Sequence, residues 1–152
     1  MDTIALRFGE HFSPECGTIA AHQKIIDEYG YVWYGKMGAK VASTVSASIM
    51  KNDTPFIILI QSGKVKRYFA YVSEIKYELP ELDKIPSYYR NKSDSFKTWF
   101  KITKFEEAPR NVLSRCMIRS SGRPVSDISR HSMSPYFIIT YEEGANGNDN
   151  QL

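Results

Sequence analysis

"PFIILIQSGKVKRYFAYVSEI", residues 55–75, is the stretch on which the fold turns. Two runs rich in β-branched and aromatic residues flank Ser62, Gly63 and Lys64, the pattern of a β-hairpin closed by a glycine turn. In the second run Val65, Arg67, Phe69, Tyr71 and Ser73 share one face. Lys66, Tyr68, Ala70, Val72 and Glu74 share the other. Successive strand side chains alternate, so apolar groups on both faces predict a strand that is central or strongly curved.

Upstream, "YVWYGK" (31–36) reads as a strand and "VASTVSASIMKND" (41–53) as a short helix with Val41, Val45 and Ile49 on one stripe. "GTIAAHQKIIDEYG" (17–30) is helical by the three- and four-residue recurrence of its apolar residues, with Thr18 to cap and Gly30 to stop it. Residues 1–17 read as mostly irregular, with a short strand at "TIALRF". Downstream, residues 79–96 carry two prolines and many polar groups and predict a long loop with at most a short helix. "KTWFKITKFEEA" (97–108) alternates as a strand should, and "PRNVLSRCMIRSSG" (109–122) has the proline start, apolar face and glycine stop of a helix. Residues 123–134 read as loop and "PYFIITYEE" as a closing strand. This order predicts an α+β domain over 1–143, a small curved antiparallel β-barrel flanked by short helices. Residues 144–152, rich in Gly, Asn and Asp, have almost nothing to bury and predict a disordered tail or linker.

At 152 residues the chain can bury a core without covalent staples. Its net charge of +3 permits a polyanionic partner without demanding one. The two cysteines, Cys16 and Cys116, sit in no CxxC-like motif, which fits a reducing compartment. The N-terminal stretch shows no apolar leader, and "PFIILI" is too short to span a bilayer. A cytoplasmic protein without a membrane partner is the expectation.

Catalytic patterns are weak. Cys16 or Cys116 could act as a nucleophile with His22 or His131, but no local signature supports either. His11, Cys16 and His22 cluster in sequence, yet their spacing matches no zinc pattern and a fourth ligand is missing. Asp53 followed by Glu74-Ile75-Lys76 has the acid-then-acid-x-Lys arrangement of a Mg²⁺-dependent nuclease, in a tripeptide that chance supplies often. "GKMG" is no Walker sequence. The pairs Glu106–Glu107 and Glu142–Glu143 would point to opposite strand faces. No metal and no cofactor is expected.

What remains is aromatic residues set among basic ones. Trp33 and Tyr34 precede Lys36 and Lys40; Tyr88, Tyr89 and Arg90 lie in the long polar segment; Trp99 opens the next strand. Arg119 and Arg123 bracket Ser120 and Ser121. Aromatic faces stack bases, Lys and Arg neutralise phosphate, and serines can meet a base edge. The competing reading is that strand tryptophans are core and loop tyrosines cover it.

The succession "YVWYGK", "PFIILIQSGKVKRYFAYVSEI", "TWFKITKFEEAPRNVL" and "SSGRPVSDISRHSMSPYF" resembles the PUA-like superfamily and, within it, EVE and YTH-like domains. The resemblance covers most of residues 30–140. It implies a curved barrel with an aromatic cage for a flipped or modified base. It also implies a place at the front of modification-dependent restriction systems of the McrB type, with a motor or nuclease domain or subunit joined after the tail. By position it makes Trp33, Tyr34 and Trp99 base-binding candidates, joined from the residue reading by Tyr88, Tyr89 and Ser120. Lys36, Lys40, Arg90, Arg119 and Arg123 are the phosphate candidates. The expected function is non-enzymatic binding of nucleic acid, DNA ahead of RNA. A protein- or small-ligand-binding sensor module and a Mg²⁺ nuclease are the alternatives.

Overall fold

The computed structural model describes residues 1–10, 13–64, 66–128 and 136–142. Seven strands form one sheet: β1 (Asp2–Phe8), β2 (Val32–Met37), β3 (Phe56–Gln61), β4 (Arg67–Lys76), β5 (Phe96–Glu107), β6 (Cys116–Ile118) and β7 (Tyr136–Tyr141). They lie in the order β2-β5-β4-β3-β1-β7-β6. Helix α1 (Thr18–Tyr29) joins β1 to β2, α2 (Ser43–Met50) joins β2 to β3, and the short α3 (Val125–Ile128) follows β6. No helix is long and apolar enough to cross a membrane among the described residues.

The hairpin forms as its sequence dictates, with Phe56 opposite Tyr71 and Ile60 opposite Arg67. Gly63, at φ 76°, supplies the left-handed residue of its turn. The sheet is mixed rather than wholly antiparallel, because β1 pairs with β3 in parallel, Ala5 facing Ile58 and Leu6 facing Leu59. Parallel neighbours need a crossover, and the α1-β2-α2 segment between them provides it. β1 thus lies near the middle of the sheet, a more central element than the short strand the sequence predicted at "TIALRF". Its Ile4 and Ala5 are fully buried on opposite faces. A strand buried on both faces shows no alternation, and so short an apolar run gives little else to read.

Two core layers follow from this. Ile4, Leu6, Ile57, Leu59, Phe100 and Ile102 pack on one face under α1 and α2. Ala5, Ile58, Phe137, Ile139, Val112 and Cys116 pack on the other. The predicted helix over 109–122 is instead a 3-10 turn, Val112–Arg115, and the edge strand β6. The Val112, Leu113 and Cys116 spacing that suggested a helix face is met by a tight turn feeding a strand, with all three still buried. Residues 79–96 hold two 3-10 segments, Leu82–Lys84 and Ser87–Ser95. The tail 144–152 lies outside the described residues.

Candidate functional site

A cleft of about 200 Å³ opens where β1, the end of β2 and the 3-10 segment Ser87–Ser95 meet. The alternation of β2 decides which of its side chains reach it. Val32 and Tyr34 join the core layer under α1, with Lys36 next on the same face. Trp33 and Gly35 fall on the opposite face. Tyr34 and Lys36 therefore present a ring and then an ammonium to the cleft. Phe8, Met37, Phe96, Tyr88 and Tyr89 supply most of the remaining wall.

The wall is a chain of rings in contact. Tyr88 meets Tyr89 at 4.8 Å between centroids, Tyr89 meets Phe96 at 4.5 Å, and Phe96 meets Trp99 at 5.2 Å. Behind them His22 sits 5.0 Å from Tyr34 and 5.2 Å from Tyr89. His22 is fully buried, and its Nδ1 lies 2.8 Å from the Thr18 carbonyl. Burial drives its pKa down to about 4, against the Thr18 hydrogen bond and the Glu10 charge, which favour the proton. Burial likewise raises the Tyr34 and Tyr89 phenols, so both stay neutral and able to donate.

Glu10, outside the cleft, holds the lining residue Thr18 in place. Its carboxylate accepts hydrogen bonds from the Thr18 amide at 3.0 Å, from the Thr18 hydroxyl, and from Gln61 Nε2 at 3.0 Å. It so caps α1 from outside the helix, in place of the cap that Gly17 cannot supply. Burial works to raise the Glu10 pKa, but the hydrogen bonds hold it below the usual carboxylate range.

Lys36 is 6% exposed. Its ammonium donates to the carbonyls of Ala39 at 2.7 Å and Met37 at 3.2 Å and lies 4.5 Å from the centre of the Tyr136 ring. Burial lowers its pKa. Lys92 is half-buried at the rim. Arg7 also borders the cleft, with its guanidinium over the Phe137 ring. No carboxylate lines the cleft among the described residues.

Gly35 makes the arrangement possible. A Cβ there would stand 2.8 Å from the Phe96 ring and 2.9 Å from Trp99. Ring atoms packed in a cluster cannot swing aside, so Gly35→Ala is expected to lower folding stability by about 1–3 kcal/mol, as overpacking does. Urea unfolding monitored by Trp fluorescence checks this; an unchanged midpoint would show that the rings do not rest on Gly35.

Of the residues singled out by sequence, Tyr34, Tyr88, Tyr89 and Lys36 come together at the cleft. Trp33 and Trp99 do not border it. They are 2% and 0% exposed, packed with Ile85, Tyr89 and Phe96 in a third cluster that backs the wall. Trp33 carries the Lys76 ammonium 4.6 Å from its ring centre, and its indole N–H is buried with no acceptor. Lys40 is exposed, with its ammonium over Tyr77, and Arg90 is exposed, donating to the Leu82 carbonyl. Arg119, Ser120 and Arg123 are exposed around the turn after β6, at the opposite edge of the sheet from β2. Phe8, Phe96, Met37 and Lys92 were not among the candidates. Phe8 lay in the predicted strand "TIALRF" without being singled out for a site, and Phe96 was hidden by the loop reading of 79–96.

The catalytic candidates are dispersed. Cys116 is buried, with its thiol donating to the Val112 carbonyl and its pKa pushed up by burial to about 12. A thiol so held is a poor nucleophile at neutral pH. Cys16 is exposed. Glu74 is exposed and pairs in register with Lys101. His11 and His131 lie outside the described residues. Among the described residues no three His, Cys, Asp or Glu side chains gather as metal ligands would.

No curated protein matches the chain. Among solved structures, a YTH domain from Zygosaccharomyces rouxii, crystallised in complex with N6-methyladenosine RNA, aligns with 98% of this chain and 86% of its own. The two share 11% identity at a TM-score of 0.43. The Pua-like family matches residues 4–141, which span all seven strands and both walls of the cleft, and the chain belongs to that family.

Proposed function

We propose that this protein binds nucleic acid by taking an unpaired or flipped base into the cleft, without chemistry of its own. The observation that carries this is the composition of the cleft. Tyr34, Tyr88, Tyr89 and Phe96 offer π-surface, Lys36 a buried ammonium and Lys92 positive charge at the rim, with no carboxylate in the described lining. Tyr34 and Tyr89 contact the base, Tyr88 closes one side, and Lys92 at the rim meets the backbone. Trp33 and Trp99 support Tyr89 and Phe96 from behind and do not stack on the base themselves. The resemblance to EVE and YTH-like domains supports a modified base. The McrB-type restriction setting that the resemblance implies favours DNA over RNA as the substrate.

Fluorescence anisotropy with single-stranded and duplex DNA and RNA, with and without methylated bases, at two salt concentrations tests the reading. Affinity is expected to fall as salt rises, because bound phosphates release counterions. Tyr34→Ala is expected to weaken binding by about 1–3 kcal/mol, the scale of one base–aromatic stack. Absence of binding, or binding indifferent to both salt and Tyr34, would hand the cleft to a small-molecule or protein ligand.

A further inference from the structure

Resting on that base-binding reading, the structure also bears on which bases the cleft accepts. The fixed charges bordering it are all positive, and Asp, Glu, Asn and Gln are missing from its described lining. Its remaining polar side chains are hydroxyls, which donate or accept as needed. The residue best placed to discriminate is Lys36. It follows Tyr34 by two positions on the same strand face, so a ring lying on Tyr34 has its edge toward the ammonium. An ammonium has three N–H donors. Two go to the carbonyls of Met37 and Ala39, and among the described residues no oxygen or nitrogen takes the third, the Tyr136 ring lying 4.5 Å away. At 6% exposure Lys36 cannot reach a solvated phosphate track. Lys36 lines the cleft beside Tyr34, so a ligand in the cleft is the partner open to that third donor.

We infer that Lys36 is a specificity-determining residue that reads the base edge, and that the cleft selects bases presenting a carbonyl oxygen there over bases presenting an amino group. A carbonyl accepts the spare N–H. An amino group at the same place sets donor against donor and leaves a buried ammonium facing N–H. The favoured class is uracil, thymine, their 5-substituted forms, guanine and hypoxanthine; adenine and cytosine, with an amino group at the matching position, are disfavoured.

The test uses short single-stranded oligonucleotides built of abasic spacers around one central base, measured by anisotropy with the full chain. Uracil is compared with cytosine, and hypoxanthine with adenine, since each pair exchanges a carbonyl for an amino group at nearly constant shape. Preference for the carbonyl member is expected in both pairs, on the order of tenfold or more, as for a hydrogen bond to a charged donor. Lys36→Met, checked for folding by circular dichroism, is expected to bring both ratios to about one, each read against the variant's own affinity for the all-abasic strand. Equal affinity within the wild-type pairs, or preference for the amino member, overturns the inference even if the variant does not fold. So does a carbonyl preference that survives in folded Lys36→Met. If no base raises affinity above the abasic strand, the base-binding reading fails and this inference with it.

Discussion

Trp99→Ala should cost about 3–5 kcal/mol of folding stability, the range for removing a large aromatic from a packed interior. Trp99 is 0% exposed at the centre of the third cluster, in contact with Phe96 at 5.2 Å and with Tyr89 at 6.4 Å. Its register partner is Gly35, whose missing side chain leaves the indole the space it fills. An alanine there leaves a void that Phe96 could fill only by withdrawing from the cleft. The loss is comparable to the whole stability of a marginal domain of this size. Urea unfolding measures it, and a Trp99→Phe variant should lose less, since a ring remains to hold Tyr89. A cost under about 1 kcal/mol for the alanine would mean that the cluster relaxes freely and does not brace the wall. Binding adds a second readout. If Trp99 acts only from behind, Trp99→Phe should retain much of its affinity for nucleic acid, whereas Tyr34→Ala should lose it in a stably folded protein.

The contrast between those two variants marks the limit of what the sequence could tell. Residues 55–75 announced the hairpin, because β-rich runs around a glycine turn have few other uses. From it, β2, β3, β4, β5, β7 and both longer helices followed in the right order. Three things were hidden for identifiable reasons. β1 was read as a short strand over 3–8, but its place near the middle of the sheet was hidden, because a strand buried on both faces lacks the alternation that marks an exposed one. The segment Ser87–Ser95 is nine residues of 3-10 turns, whose period of three fits neither helical nor strand patterns. The third was the fate of each aromatic. Trp33 and Tyr34 are neighbours of similar character, and nothing in their composition says which faces the braced cluster and which the cleft. The phase of β2 against β5 and the bulge at Lys36 and Met37 decide it, and those are long-range facts. The basic residues divided in the same way. Lys36 went inward because its strand face did, while Arg119 and Arg123 followed β6 to the far edge.

Lowering the pH should destabilise the protein through His22, by on the order of 2–3 kcal/mol between pH 7.5 and pH 4.5. The sign follows from which state binds the proton. Unfolded, His22 titrates near its ordinary 6.5; folded, burial has driven it to about 4. Between those values the unfolded chain carries more protons, so stability is full above pH 6.5 and is lost as the pH falls toward 4. The structural cause is specific. Nδ1–H donates to the Thr18 carbonyl, which leaves Nε2 bare, buried and without a partner among Tyr34, Tyr89 and Phe105. A second proton would put an N–H there with nothing to accept it. Glu10 attracts that proton from the end of α1, but too weakly to offset the burial. Glu10 itself titrates below the usual carboxylate range, so its own hydrogen bonds to Thr18 and Gln61 hold through most of the window in which His22 is lost. Urea unfolding at several pH values checks the slope, with His22→Gln as the reference, since glutamine can still donate to Thr18 but does not titrate. The wild type should lose stability relative to the variant across pH 6.5 to 4; parallel curves would show that His22 is free to take its proton in the folded state. Because folded His22 stays neutral until the pH nears 4, the arrangement of Tyr34 and Tyr89 around it should hold through that window, and affinity measured on the folded fraction should not follow the loss of stability.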